Sequence, residues 1–356
     1  MQKIPNKLNV LLFMDPTRAP IEELKKISPE RLVINAVPGQ AFVDSGGMHP
    51  PTSGLWKERP WETNLSQSEL NELLENAHIL VFTLPYPKNL LNRMPNLMYA
   101  QYLFAGISDL RYSDLWGSHV KVGSARGFVD TLPIAEMVIG ACFYFSKNLG
   151  IATDQTRLGE FDTKAYNLKL MSNKTIAIIG LGGIGQEIAR LAKLLGLRVY
   201  ASKRSTSKRL YDVENVDVLF PPSDLKEMLE CSDFVALSPV LTDDTRRMIN
   251  AETINSMKDG TVILNVGRGE LIDEGALIDA LKSGKLSGAY LDVYDNEWEK
   301  LPNPELMSLP NLLMTPHNSG HVDEREYLSI SILKENISRF ISGKELINEV
   351  DWQRGY

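Results

Sequence analysis

Lys174-Thr-Ile-Ala-Ile-Ile-Gly180-Leu-Gly182-Gly183-Ile184-Gly185-Gln-Glu-Ile-Ala-Arg-Leu-Ala-Lys-Leu-Leu-Gly196 is the stretch that decides how the rest of the chain is read. An apolar strand runs into Gly-x-Gly-x-x-Gly, and an amphipathic helix opens directly after it. That strand–loop–helix context separates a dinucleotide site from a chance run of glycines. Gly180 permits the tight turn, Gly182 lets backbone approach a pyrophosphate, and Gly185 lets helix and strand pack closely. The first amides of the helix, around Gly183 and Ile184, then face the phosphates along the helix dipole.

The strand that follows sets the nucleotide. Sites for NAD place Asp or Glu about 20 residues on, where it holds the ribose 2′-OH. Here the strand over 197–201 runs into Ser202-Lys203-Arg204-Ser205, two cations among hydroxyls and no acid. Lys203 and Arg204 suit a 2′-phosphate through charge-assisted hydrogen bonds. NADP(H) is the expected cofactor, with NAD(H) open as the second candidate.

Downstream, three segments carry groups fit for chemistry. Asn265-Val-Gly-Arg268-Gly269 follows a strand and sets Arg268 at the carboxyl edge of the sheet, where ligands bind in such folds. Leu291-Asp292-Val…Glu297 and Thr315-Pro316-His317 end two more strands at the same edge. A guanidinium grips a planar α-carboxylate bidentately and polarises a neighbouring keto oxygen. An imidazole protonates the oxygen as hydride arrives, and a nearby carboxylate favours the charged imidazole. The set Arg268, Glu297 and His317 therefore suits reduction of a small 2-oxo acid to the 2-hydroxy acid.

Upstream, apolar runs over 9–14, 31–36, 78–84, 97–103 and 120–122 alternate with helical stretches over 22–27, 70–75 and 109–116. This is a βα repeat and hence a mostly parallel sheet. Ser66 and Glu69 form a capping box before the second helix. Residues 37–64 show no regular pattern, a long apolar helix starts at Pro133, and 153–170 reads as a polar connection. Further strands fall near 198–200, 234–238, 262–265 and 289–292, and the last helix covers 324–341.

At 356 residues the chain exceeds what one core normally serves, so two domains are expected. The net charge of -7 argues against nucleic-acid and anionic-membrane partners. No apolar run is long enough to span a bilayer and no leader peptide is evident, so a cytoplasmic setting is expected. Cys142 and Cys231 match no metal or redox spacing and read as buried thiols; no metal site is expected.

Taken with Ala105-Gly106-Ile107-Ser-Asp109, Ser238-Pro239-Val-Leu-Thr242, Asn265-Val266-Gly267-Arg268-Gly269 and Thr315-Pro-His317, these motifs resemble the D-isomer-specific 2-hydroxyacid dehydrogenase family from about residue 76 onward. The resemblance implies an α/β fold of two Rossmann-like domains, each a mostly parallel sheet flanked by helices. The nucleotide domain (131–319) would be inserted in the substrate domain (1–130 and 320–356), with the site in the cleft between them and a homodimer formed through the nucleotide domain. It further implies that Arg268 binds and polarises substrate, that His317 is the proton donor and that Glu297 orients it. Asp292 would meet the nicotinamide carboxamide, and the amides of Ala105, Gly106 and Ile107 would cradle the substrate carboxylate. Pro239 and Thr242 would line the adenine side, with Val266, Gly267 and Gly320 also beside the nucleotide.

Where many relatives carry Pro after the catalytic glutamate, this chain has Trp298, read as packing on its loop. The substrate class that fits is glyoxylate- or hydroxypyruvate-like. Three other readings compete; one, a methyltransferase using the glycine loop for a different nucleotide, leaves the Arg268, Glu297 and His317 set without a role. A dinucleotide-sensing corepressor can keep the same three residues, although no long tail or basic segment supports it here. A dehydrogenase of another small acid, such as phosphite, is the third; formate enzymes of this type carry Gln at the position of Glu297.

Overall fold

The computed structural model describes residues 4–42, 48–49, 63–127, 130–297, 299–323 and 325–353. The chain divides into two compact units. One holds Met1–Val129, Trp298–Lys300 and Asp323–Tyr356; the other holds Asp130–Glu297 and Leu301–Val322.

The first unit opens with β1 (Leu8–Leu12), α1 (Ile21–Lys25), β2 (Leu32–Ala36), β3 (Met48–His49), α2 (Gln67–Asn76), β4 (Ile79–Phe82), β5 (Tyr86–Pro87), α3 (Leu90–Arg93), β6 (Tyr99–Tyr102) and β7 (Lys121–Gly123). Its main sheet is parallel throughout, in the order β2-β1-β4-β6-β7. The near-continuous apolar runs of β1 and β4 follow from burial on both faces. Ser66 and Glu69 form the reciprocal capping box at the start of α2.

Two expectations change here. Residues 109–116 give only a 3-10 turn at Ser108–Tyr112, which Ser113 ends in extended backbone. Asp114 instead caps α3, accepting from the amides of Leu91 at 2.9 Å and Asn92 at 3.2 Å. Of the irregular segment 37–64, the described part holds a 3-10 turn at Gly39–Phe42 and β3, which pairs antiparallel with β5. The remainder, like the packing of Trp298, lies outside the described residues.

The second unit runs α4 (Thr131–Ser146), α5 (Leu149–Leu158), β8 (Thr175–Ile179), α6 (Gly183–Leu194), β9 (Arg198–Ser202), β10 (Leu210–Val213), β11 (Val216–Phe220), α7 (Leu225–Glu230), β12 (Phe234–Leu237), α8 (Ala251–Ser256), β13 (Thr261–Asn265), α9 (Glu274–Ser283), β14 (Leu286–Leu291), α10 (Pro304–Met307) and β15 (Leu312–Met314). The sheet order is β10-β11-β9-β8-β12-β13-β14-β15. From β11 to β15 it is parallel and reverses direction of growth at β8, the doubly wound arrangement that opens a crevice beyond the strand ends. Helix α4 packs its Ile134, Ala135, Val138 and Cys142 into the core on one face of this sheet.

Three features depart from the sequence reading. The polar stretch before β8 contains α5, bounded by left-handed Asn148 (φ 50°) and Gly159 (φ 71°). Strands β10 and β11, absent from the sequence reading, follow β9 and pair antiparallel around Asp212 (φ 52°) and Asn215 (φ 59°). Cys231, read as buried, is exposed at the end of α7, whereas Cys142 is buried. The chain then returns to the first unit through α11 (Arg325–Ile341), whose Leu333, Ile337 and Phe340 join the core beside β1 and β4. Among the described residues no helix is long and apolar enough to cross a membrane.

Candidate active site

The glycine loop lies at the carboxyl end of β8. Gly180 has φ 95°, and a side chain there would sit 2.6 Å from the nitrogen of Pro239, so only glycine fits the turn. A Cβ on Gly185 would collide with the Gly180 carbonyl, which is the close strand–helix approach expected of that position. A Cβ on Gly182 would meet nothing within 4 Å. That open space, in front of the first amides of α6, fits a phosphate-bearing nucleotide.

Neighbouring strand ends are tied to this loop. The Gly180 amide donates to Ser202 at 2.9 Å, and the Ser238 hydroxyl donates to the Gly180 carbonyl at 2.9 Å. Ser202 is buried at the end of β9, while Lys203 and Arg204 after it are exposed. Pro239 adjoins Gly180, and Thr242 belongs to a turn closed by the Thr245 hydroxyl, which accepts from the Thr242 amide at 2.8 Å.

Arg268 follows β13. The buried Asn265 side chain braces this turn from both sides: its amide donates to the Arg268 carbonyl at 2.9 Å, and its oxygen accepts from the Gly267 amide at 3.1 Å. Arg268 Nη1 donates to the Gly267 carbonyl at 2.7 Å. Gly269 lies so close to the peptide joining Tyr294 and Asp295 that a methyl group could not be accommodated. The turn carrying Arg268 thus packs directly on the segment leading to Glu297.

Glu297 is 7% exposed, and its Oε1 lies 3.0 Å from Nδ1 of His317. Burial and the Glu297 charge push the Tyr294 hydroxyl up to about 12, so it stays a donor, 3.4 Å from the Glu297 carbonyl. His317 adopts φ 50°, a left-handed backbone uncommon outside glycine. Such a conformation persists only where its surroundings fix it. The His317 amide donates to the Asp292 carbonyl at 2.9 Å and to the Thr315 carbonyl at 3.0 Å.

The Asp292 carboxylate, 2% exposed, accepts from four donors: the Thr315 hydroxyl at 2.5 Å, the Asn318 amide at 3.0 Å, the Ser319 amide at 3.2 Å and the Ser319 hydroxyl. Thr315 gives its one proton to Asp292, so Tyr290, 2.9 Å away, must donate to Thr315. Burial, reinforced by the Asp292 charge, raises the Tyr290 hydroxyl well above the ordinary range, in keeping with a donor. Asp292 therefore braces the loop that presents His317, a role that its strand-end position alone did not reveal. Asn265, Tyr290, Thr315 and Ser319 were also missed. Only proximity to Arg268 and His317 in the sequence could have pointed to them.

Gly320 closes the loop against Asp130 Cβ, at 3.0 Å from a would-be side chain. Val266 and Gly267 are buried at the end of β13. In the first unit, Ala105, Gly106 and Ile107 form the turn after β6. Their amides donate to no protein group among the described residues. Tyr102 and Tyr86 hold this turn from below by bonding Asp109: the Tyr86 hydroxyl donates to the Asp109 carbonyl at 2.9 Å and the Tyr102 hydroxyl to its carboxylate.

A doubly wound nucleotide sheet with a carboxylate-bound histidine and an arginine on its carboxyl edge defines a nicotinamide-dependent oxidoreductase. Residues 139–319 match the family model described as D-isomer specific 2-hydroxyacid dehydrogenase, NAD binding domain. The chain belongs to the D-isomer specific 2-hydroxyacid dehydrogenase family, whose members are NAD(P)-dependent oxidoreductases. It is similar to a D-3-phosphoglycerate dehydrogenase of Methanocaldococcus jannaschii, 30% identical over 81% of this chain and 54% of that one. It thus spans about half the length of that relative. A hydroxypyruvate reductase of Thermotoga maritima is 31% identical over 74% of this chain and 84% of its own. Among solved structures, a D-isomer specific 2-hydroxyacid dehydrogenase family protein of Aeromonas salmonicida superposes with a TM-score of 0.76, at 25% identity over 97% of this chain and 99% of that one.

Proposed function

We propose that this protein reduces a small 2-oxo acid to the 2-hydroxy acid with NADP(H), on substrates of glyoxylate or hydroxypyruvate size. The observation that carries the reading is the 3.0 Å contact between Glu297 and His317 on the same sheet edge as the glycine loop. A bound nicotinamide dinucleotide supplies the hydride. Gly180, Gly182, Gly183, Ile184 and Gly185 would hold its pyrophosphate, and Lys203 and Arg204 its 2′-phosphate, with Ser202 beside them. Pro239, Thr242, Val266, Gly267 and Gly320 would line the remaining nucleotide surface.

Arg268 would bind the substrate carboxylate through its fork and draw charge from the C2 carbonyl. As the C2–H bond forms, His317 would pass a proton from Nε2 to the carbonyl oxygen while Glu297 holds Nδ1–H and offsets the charge. Asp292 would act through the His317 loop, with the carboxamide contact as a second role. The amides of Ala105, Gly106 and Ile107, which donate to no protein group among the described residues, are suited to an anionic carboxylate. The hydroxypyruvate reductase among its relatives supports the substrate class.

Pairing with a second copy is part of the same reading. Leu158, Phe161, Leu168 and Leu170, in and after α5, are 71%, 99%, 63% and 67% exposed, a concentration of apolar side chains that a partner would cover. Light scattering on the purified protein tests it, and a strictly monomeric mass would reject it.

The deciding experiment follows the nicotinamide absorbance with NADPH or NADH and a panel of glyoxylate, hydroxypyruvate, pyruvate, phenylpyruvate and 2-oxobutyrate. Preferential consumption of NADPH with a small acid is expected. Dinucleotide binding without turnover on any acid would favour a sensor instead.

A further inference from the structure

Ser202, Phe220 and Arg209 form a row across three neighbouring strands. Ser202 of β9 pairs with Phe220 of β11, and Leu210 of β10 pairs with Leu219 of β11. Arg209, one residue before Leu210, therefore falls opposite Phe220. Two strand spacings of about 4.8 Å place its backbone roughly 10 Å from Ser202.

The Arg209 side chain is fixed at every end of its fork. Its guanidinium lies over the Phe220 ring, 5.0 Å from the centroid. Nε donates to Asp224 at 2.7 Å, Nη1 to one Glu227 oxygen at 2.7 Å, and Nη2 to the other. An isolated surface ion pair contributes little, but a bidentate fork joined to a second acid and an aromatic face has a defined geometry.

What this cluster holds is the far end of segment 203–208, Lys-Arg-Ser-Thr-Ser-Lys, which joins β9 to β10. The segment has no apolar side chain with which to pack. One internal backbone bond, from the Thr206 amide to the Lys203 carbonyl at 3.0 Å, closes a turn. Ser202, buried in β9, anchors one end of the segment, and Arg209 anchors the other. In ordinary doubly wound sheets a helix follows this strand; here the antiparallel hairpin and the Arg209 cluster stand in its place.

We propose that Arg209 is a positioning residue for nucleotide specificity, stapling the 203–208 loop to Asp224 and Glu227 so that Lys203 and Arg204 are presented to the 2′-phosphate. The inference rests on the NADP(H) reading above. Loosening the loop costs the phosphate contacts and leaves the pyrophosphate and nicotinamide ends of the site untouched, so NADPH should suffer and NADH should not.

Calorimetric binding of NADPH and NADH to the full-length protein tests this without recourse to turnover. Arg209→Ala should raise the Kd for NADPH about tenfold, the scale of a charge-assisted contact, and leave NADH within about twofold. Glu227→Gln breaks the same staple from the other side, and it decides the matter if Arg209→Ala does not fold. It makes the surroundings more positive, so a purely electrostatic effect would tighten NADPH; loss of positioning should weaken it roughly threefold, the size of an exposed charged contact. Equal changes for both nucleotides, no change, or tighter NADPH in Glu227→Gln would overturn the proposal. Arg204→Ala is the separate control: if it fails to weaken NADPH selectively, the NADP(H) reading itself falls.

Discussion

Glu297 Oε1 lies 3.0 Å from Nδ1 of His317, although the two residues are 20 positions apart and follow different strands. The contact orients the ring, and in the proposed reaction Nε2 would be the nitrogen that exchanges a proton with substrate. His317→Ala should lower kcat by about 10²–10⁴-fold, the range for loss of a general acid, while the Kd for NADPH stays within a few-fold. Steady-state kinetics paired with calorimetry will show it, and a parallel loss of nucleotide binding would make the histidine structural.

Arg268→Lys keeps the charge and removes the fork. A point charge does not reproduce bidentate grip of a carboxylate, so kcat/KM for the 2-oxo acid should fall by about 10²-fold or more. Near-normal kinetics with the lysine variant would take Arg268 out of the mechanism.

Gly269→Ala tests the approach of the arginine turn to the glutamate segment. The added methyl would occupy the Tyr294–Asp295 peptide, so one of the two turns must move. A displacement near 1 Å is enough to cost about 10²-fold in rate. The melting temperature should fall as well. Retained activity at wild-type stability would mean that the turn yields freely.

Lys203→Asp places an acid after β9, where NAD sites carry one. NADPH binding should weaken sharply through repulsion of the 2′-phosphate, and NADH binding should hold or improve. If fluorescence titration finds the NADPH-to-NADH preference unchanged, the segment after β9 does not read the ribose.

Asp292→Asn replaces an acceptor-only group by one that must turn an N–H toward Thr315, Asn318 or Ser319. Leaving a buried donor unpaired costs about 1–3 kcal/mol. Thermal melting should register the loss, and kcat should drop because the His317 backbone is held by the same loop. A variant with unchanged melting would show that the loop does not depend on this carboxylate.

The glycine loop was readable as a tight strand–helix turn because Gly180 and Gly185 each answer a local steric demand, and local demands leave local patterns. Glu297 and His317 are different: nothing in their separate segments says that they touch, and the pairing came from strand topology and family likeness. The brace made by Tyr290, Thr315, Ser319 and Asp292 left no mark because hydroxyl residues at strand ends are ordinary turn formers. Strands β10 and β11 escaped notice for a related reason. Charged and turn-forming residues fill their surroundings, and the usual expectation at that point is a helix. Helix α5 was hidden by its polarity, with its boundaries set by left-handed Asn148 and Gly159 rather than by a hydrophobic stripe.

The hairpin that replaces the helix also gives the nucleotide sheet an outer rail open to water. Such a rail invites foreign strands to anneal, and folded proteins blunt it by shortening or kinking it. Strand β10 has both defences: it is four residues long, and Asp212 in its middle is turned to φ 52°. Tyr211 beside it is 66% exposed, an apolar invitation that the kink denies a regular ladder. Straightening that kink, as Asp212→Val would encourage, turns a quiet edge into a nucleus for aggregation.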